Sequence, residues 1–453
     1  MKKSAESSSK RPKISGNQET WAMADRLSYL PDSLLCHILS LLPFKLAVAT
    51  SILSKRWRLL WTLVPRLDLD DHYKQKTYNR GGYWEENLFT EFEYMRFAKF
   101  IYRVFVLREA EFVKEFRLKC GNPCTDPSDV NAWVCASINR NLEQLELSLC
   151  VKKCLKLCHK IFNCEKVVVL KLNGNIRLDL PFSVSLPSLK RLHLAEILYT
   201  NDNIWRLLSG CPVLEEFVVK LDRLGGVFNI SVPTLRTLSM EYYNYVDGGD
   251  YKLEINAPSL EYFTLVHPLL RESNLENLDN LVEADLNVCV NDRGYVIKLL
   301  KKLNNVRVLS LSNSLTWCLG STSSNDIPVF HNLIHLELSF LFYDWKLLEK
   351  FLQNSAMLQV LVIAKALVDS ESQWTPPQLV PECLSSHLTM ISFNAALGSE
   401  NELEFAKYIL MNAGVLKTMK FCMQHIVLET KARILKLLSN TPRGSATCQL
   451  EFS

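Results

Sequence analysis

The sequence predicts an α/β chain. Short all-α helices come first, then a long solenoid whose repeats each add one strand to a parallel sheet, then a C-terminal cap. Three observations carry this reading. Residues 30–61, LPDSLLCHILSLLPFKLAVATSILSKRWRLLW, hold apolar residues at helical spacing in two runs split by Pro43. An L-x-x-L-x-L pattern then recurs at a nearly constant interval along most of the remaining length. Finally, 453 residues with 48% apolar and 22% charged content describe a folded chain too long for one compact core.

Residues 1–24 are rich in Ser and Lys without apolar periodicity, so a disordered basic tail is expected there. Within it, Lys2-Lys3 and Lys10-Arg11-Pro12-Lys13 resemble a nuclear-import signal. The expected localisation is nucleus and/or cytoplasm. Residues 25–65 form the helical unit. Leu30-Pro31 opens a helix, Leu34, Leu35, Ile38, Leu39 and Leu42 follow at helical spacing, and a second helical stretch runs to Ser54-Lys55-Arg56-Trp57-Arg58. An apolar unit this small cannot bury all of its own leucines and needs a partner.

Residues 66–110 are expected to be a polar, aromatic connector followed by an amphipathic helix over Glu93–Leu107, with Phe97, Ile101, Val104 and Phe105 on one face. The repeats occupy 111–370. Their apolar triplets begin at Val113/Phe116/Leu118 and Leu142/Leu145/Leu147 and run through Leu333/Leu336/Leu338 to Leu358/Leu361/Ile363. Looser copies follow at Leu388/Ile391/Phe393 and Leu416/Met419/Phe421. From 142 to 358 the first anchors are separated by 25, 22, 25, 21, 25, 21, 25, 27 and 25 residues. The rough alternation suggests two kinds of return segment, helical ones such as Asn201–Leu208 and shorter extended ones such as Leu221–Ile230.

Side chains alternate along a strand, so the third, fifth and seventh template positions point away from the core onto one concave wall. That wall is the candidate target-binding surface: Arg191, His193, Glu216, Lys220, Glu241, Tyr262, Glu283, Asp285, His335 and Glu337. Its mixed charges suit protein recognition. Residues 371–453 predict two further strands and two amphipathic helices covering the end of the array, as an uncapped solenoid requires.

Several exclusions follow from composition and motif. Lys+Arg minus Asp+Glu is 52 − 48 = +4 over the whole length, which does not suggest a nucleic-acid partner. The fourteen cysteines contain no CxxC pair, no secretory signal precedes them, and no apolar run is long enough for a membrane. Buried reduced thiols are expected. Cys150, Cys154 and Cys158, with His159 beside them, would form one stripe of a helix, a spacing that serves cores far more often than zinc. No GxSxG, GxxxxGK or HExxH motif occurs, so neither an enzyme nor a cofactor is expected.

The residues of the helical unit also carry a family resemblance. Leu30, Pro31, Leu34, Ile38, Leu39, Leu42, Pro43, Ala47, Thr50, Ser51, Leu53, Ser54, Lys55, Arg56, Trp57, Arg58 and Trp61 resemble the F-box, which docks substrate-recruiting subunits onto the Skp-family adaptor of cullin-RING ubiquitin ligases. That resemblance implies adaptor contacts by Leu30, Pro31, Leu34, Ile38, Leu39, Leu42, Pro43, Ala47, Ser51, Leu53 and Trp57. One departure is Leu46, where plant members commonly carry an acidic residue.

The repeats resemble the leucine-rich repeats that plants place beside F-boxes. The segment with Trp374, Pro376-Pro377, Val380-Pro381-Glu382-Cys383-Leu384, Glu402-Leu403-Glu404-Phe405, Tyr408-Ile409-Leu410 and Pro442–Phe452 resembles the plant FBD domain. Together these imply a non-enzymatic substrate-recruiting subunit of an SCF-type ligase, partnered by a Skp-family adaptor, through it a cullin, and an unidentified protein target. The alternative is a non-ligase interaction scaffold with a degenerate F-box.

Overall fold

The computed structural model describes residues 27, 29–71, 91–108, 112–221, 226–242, 251–267, 272–289, 292–320, 326–342, 344–365, 373–394, 399–422 and 428–452. The expected tail at 1–24 and most of the expected connector, 72–90, lie outside the described residues. The chain divides into two compact units, Met1–Val64 and Pro65–Ser453.

The first unit is helical. A short turn links helices Asp32–Ser40 and Phe44–Ala49, a 3-10 helix, Thr50–Ile52, and four further residues lead to helix Trp57–Leu60, and a 3-10 turn, Trp61–Leu63, follows it. Pro31 and Pro43 stand immediately before the first two helices, where a missing N–H costs no intrahelical bond. The core is Leu35, Leu39, Ala47, Trp57, Leu60 and Val64. Phe44 and Trp61 pack edge to face with centroids 6.1 Å apart. Arg56 closes the unit across sequence: its Nε donates to Asp32 Oδ1 at 2.9 Å, and its Nη2 donates to the Leu30 carbonyl.

The second unit is built on one sheet of fifteen parallel strands hydrogen-bonded in chain order. Thirteen template triplets mark thirteen of its strands, from Glu115–Cys120 through Gln144–Leu149 to Thr418–Cys422, with the first anchor just before each strand and the second and third on it. The second and third anchors form buried rows that run from strand to strand. One row is Leu145, Leu170, Leu192, Phe217, Leu238 and Phe263, each at most 1% exposed. Parallel pairing in constant register therefore stacks like on like and yields one continuous core.

Two strands lie outside the expected triplets. Arg66–Asp70 pairs with Glu115–Cys120, so the sheet begins inside the expected connector, on Val64/Leu67/Leu69. Gln449–Phe452 pairs with Thr418–Cys422 and ends it. The C-terminal segment thus adds three strands instead of two, and it closes the array by extending the sheet. Its helices are Glu382–Ser386, Glu400–Asn412 and Leu428–Ser439. Phe393, Phe421 and Phe452 stack in succession at 4.9 and 5.2 Å. A buried ion pair, Lys365 Nζ to Glu402 Oε1 at 3.7 Å, ties helix Glu400–Asn412 to strand Val360–Lys365. The other Glu402 oxygen accepts from the Ser399 N–H in a capping box.

The return segments do not alternate. Helices return the chain at Pro127–Ile138, Asn201–Ser209, Arg293–Lys302, Asn313–Gly320 and Trp345–Gln353. Three consecutive returns between them, Gly226–Ser231, Tyr251–Asn256 and Glu272–Glu276, are strands of a second parallel sheet. Tyr251–Asn256 belongs to a 25-residue interval, so spacing does not choose the conformation. Its sequence does: Leu253 and Ile255 alternate with polar residues and are buried, a strand pattern. Cys150, Cys154 and Cys158 are not on a helix, since Leu155–Lys156 is a short strand and His159–Asn163 a 3-10 turn. The amphipathic helix is present at Glu91–Leu107, with Ile101, Val104 and Phe105 buried and Tyr102 donating to Asp129 at 2.7 Å on helix Pro127–Ile138.

Candidate functional site

Two surfaces come out of this architecture, one on each unit. On the helical unit, helix Asp32–Ser40 carries apolar residues on two stripes. Leu35 and Leu39 point into the core, whereas Leu34 (48% exposed) and Leu41 (71%) lie outside it with half-buried Ile38 between them. Past Pro43, Leu46 (56%) and Leu53 (64%) are also exposed. An exposed apolar set this dense on a small unit marks an interaction surface.

The predicted contacts divide accordingly. Pro31, Leu34, Leu42, Pro43 and Leu53 are exposed, and Leu30, Ile38 and Ser51 are half-buried, so all eight are accessible. Leu39, Ala47 and Trp57 are core residues. Each is at most 7% exposed, so in this structure they underlie the accessible residues. Sequence reasoning missed Leu41, Ile52 and Leu59 as accessible apolar residues. Leu41 was legible, because Leu34, Ile38 and Leu41 fall on one face at i, i+4 and i+7.

On the second unit, all ten predicted recognition residues sit on the open face of the large sheet, and none is buried. The registers place them in rows. Arg191, Glu216, Thr237, Tyr262, Glu283, Val308, His335 and Val360 form one row. A second contains His193, Val218, Ser239, Thr264, Asp285, Ser310, Glu337 and Val362.

Toward the N-terminal side of this face, polar and charged side chains find partners on neighbouring strands. Arg117 meets Glu146 at 2.9 Å, His193 Nε2 lies 2.6 Å from Glu216, and Lys220 lies 2.7 Å from Glu241. Further along, Glu283, Asp285 and Glu337 have no ion-pair partner among the described residues. Burial, with Glu337 and Glu283 adding like charge, raises the Asp285 pKa above the ordinary aspartate value.

Among the described residues no three of His, Cys, Asp and Glu could hold a metal ion. All fourteen cysteines are free thiols. Burial pushes Cys211 and Cys383 up to about 12, which keeps them protonated and unreactive. No described helix is long and apolar enough to cross a membrane.

Comparison with known proteins gives the same order of modules along the chain. The F-box domain family matches residues 27–69, the family described as "FBD-associated F-box protein At5g56370, LRR repeats" matches 130–284, and FBD matches 376–421. Full-length relatives are similar throughout. The putative FBD-associated F-box protein At3g50710 of Arabidopsis thaliana is 34% identical over 94% of this chain and 99% of its own length. The F-box/FBD/LRR-repeat protein At4g26340 of the same plant is also 34% identical, over 94% of this chain and 100% of its own.

Proposed function

Since this chain belongs to the plant F-box/FBD/leucine-rich-repeat family, we propose that it is a substrate-recruiting subunit of an SCF-type cullin-RING ubiquitin ligase. In this reading the helical unit docks onto a Skp-family adaptor, through which a cullin is joined, and the open face of the sheet holds a protein target. The observation that carries it is the exposed stripe of Leu34, Ile38, Leu41 and Leu42 on a unit whose core is complete without them.

The mechanism asks for no acid, base or nucleophile from this chain. Holding a target near a ubiquitin-charged enzyme raises the effective concentration of its lysines, and that proximity is the catalytic contribution. Lys10-Arg11-Pro12-Lys13 is the candidate nuclear-import signal, and it lies outside the described residues. Loss of nuclear accumulation of a fluorescent fusion on changing all three basic residues to Ala is the expected result.

The docking test is co-purification of the full chain with a Skp-family adaptor, compared with a Leu34→Lys/Leu42→Lys variant. Retention of adaptor by the unmodified chain and its loss in the variant is expected. Failure of the unmodified chain to bind any such adaptor would overturn the reading and leave the scaffold alternative.

A further inference from the structure

The cysteines of this chain differ in what their sulfurs face. Cys36, Cys211 and Cys383 donate to main-chain carbonyls, of Leu60, Leu207 and Leu352, as structural thiols do. Cys158 faces another thiol: its side-chain hydrogen-bond partner is Cys135. Cys135 lies on helix Pro127–Ile138, which returns the chain from strand Glu115–Cys120 to strand Gln144–Leu149. Cys158 stands just before the 3-10 turn His159–Asn163, on the return that follows Gln144–Leu149. The two sulfurs therefore meet between successive repeats.

The main chain holds this meeting in place. Asn131 is one turn before Cys135 on the same helix face. Its Nδ2 donates to the Lys156 carbonyl at 2.5 Å, and its Oδ1 accepts from the Cys158 N–H at 2.9 Å. Both ends of Lys156-Leu157-Cys158 are thus clamped to the helix, and Leu157 is buried. The clamp uses main-chain atoms of the second segment, so it needs no sulfur at 135 or 158. Each cysteine is half-buried, which leaves the pair open to a small oxidant.

We propose that Cys135 and Cys158 are a modification site, a dithiol that a hydroperoxide converts to a reversible disulfide joining the two return segments. Neither residue belongs to the leucine stripe or to the outward positions of the strands, so the site is independent of the proposed function.

The two sulfurs have different parts. Burial and the hydrogen bond to Cys135 push the Cys158 thiol up to about 12, so its proton stays in place and Cys135 is the attacking sulfur. Cys135 loses its proton and attacks one peroxide oxygen. The O–O bond breaks, a sulfenic acid forms on Cys135, and the second oxygen leaves as water with that proton. The Cys158 sulfur then attacks the Cys135 sulfur, the S–O bond breaks, and the hydroxyl leaves as water with the Cys158 proton. Two thiols are oxidised and one peroxide is reduced to two waters. The link constrains the unfolded segment and adds a covalent tie to an interface between neighbouring repeats.

The test adds hydrogen peroxide to the reduced, purified full chain at micromolar concentration. Remaining thiols are blocked with N-ethylmaleimide, and a non-reducing tryptic digest is read by mass spectrometry. Cleavage after Lys119, Arg140, Lys156 and Lys160 puts Cys135 in peptide 120–140 and Cys158 in peptide 157–160. The expected product is these two peptides joined with the loss of two hydrogens and parted again by dithiothreitol. A thiol held at hydrogen-bonding distance has an effective concentration on the order of millimolar or above, so this link should exceed links between chains by roughly a hundredfold.

Cys135→Ser and Cys158→Ser should each abolish the joined peptide, whereas Cys124→Ser, a change elsewhere in peptide 120–140, should not. In Cys158→Ser the sulfenic acid on Cys135 has no thiol to resolve it, and dimedone should trap it there. In Cys135→Ser no dimedone adduct at Cys158 is expected. Hydrogen exchange over residues 127–163 should slow on oxidation, because the segments are joined where they already meet. The proposal is overturned by no joined peptide at peroxide levels that oxidise the exposed Cys124 or Cys150, or by a link that survives Cys135→Ser. A dimedone adduct at Cys158 in place of Cys135, or faster exchange over 127–163, would overturn it equally.

Discussion

Replacing Leu34 and Leu42 by alanine should weaken adaptor binding without loosening the helical unit. Leu34 is 48% exposed and Leu42 38%, so each keeps a little under half of its surface to bury on docking. Full burial of a leucine is worth about 1.5–3 kcal/mol, so the pair should contribute about 1–2 kcal/mol at the interface. That corresponds to a roughly 5- to 30-fold weaker Kd, read by calorimetric titration with a purified Skp-family adaptor.

The contrasting change is Leu39→Ala. At 1% exposure, Leu39 loses core contacts, and about 2–5 kcal/mol of unit stability is expected to go with them. Because a global melt is dominated by the larger unit, hydrogen exchange over residues 30–64 is the appropriate stability readout. Leu39→Ala should raise exchange there, whereas the Leu34/Leu42 pair should not. Undiminished binding by the double variant, or exchange raised as much as by Leu39→Ala, would refute the division of this helix into an inner and an outer stripe.

Three other changes probe the second unit. Gly174 has φ +107°, and a Cβ there would lie 1.8 Å from the Leu149 carbonyl oxygen, so Gly174→Ala should lower stability by at least about 2 kcal/mol in a thermal melt. Lys365→Met strands a buried carboxylate and should cost about 3–5 kcal/mol, much of it recovered when Glu402→Gln is added; a silent single change would contradict the desolvated pair. Asp285 has a raised folded-state pKa, so the native state holds that proton more tightly than the unfolded chain. Its charge therefore lowers stability above the folded pKa and ceases to do so as pH falls through it. Asp285→Asn should raise the Tm at pH 7, with the gain shrinking toward acid pH, and a gain that grows on acidification would refute the assignment.

Most of the sheet was legible in the sequence because strand alternation and the repeat interval are independent signals that coincide. Thirteen triplets mark thirteen strands. The two end strands escaped for different reasons. Val64 opens the triplet of the first strand but also closes the core of the helical unit, so it reads as part of the motif before it. The last strand lacks an apolar first anchor, since Thr447 stands where a leucine would. Return segments were legible locally but not by length, as Tyr251–Asn256 shows. On the open face, residue identity and the period of two fixed which side chains point outward, and the register added which charges meet.

The helical unit was harder to read for a physical reason. In a sheet, apolar type and inward direction go together, so position predicts burial. In the small helical unit both stripes of one helix are apolar, and Leu34 and Leu35 differ only by the 100° turn between them. Family resemblance names Leu34, Leu39, Ala47 and Trp57 alike, because a core residue and a contact residue are equally required for docking. Burial separates them, and with them the two ways a substitution can abolish binding. Because the two surfaces belong to separate compact units, a lesion confined to the leucine stripe should leave the open sheet face unchanged, and changes in the two should add. Leu46 falls on the outer side of this division: it is exposed and outside the core, so under the proposed function a substitution there should change adaptor affinity and leave hydrogen exchange over residues 30–64 unchanged.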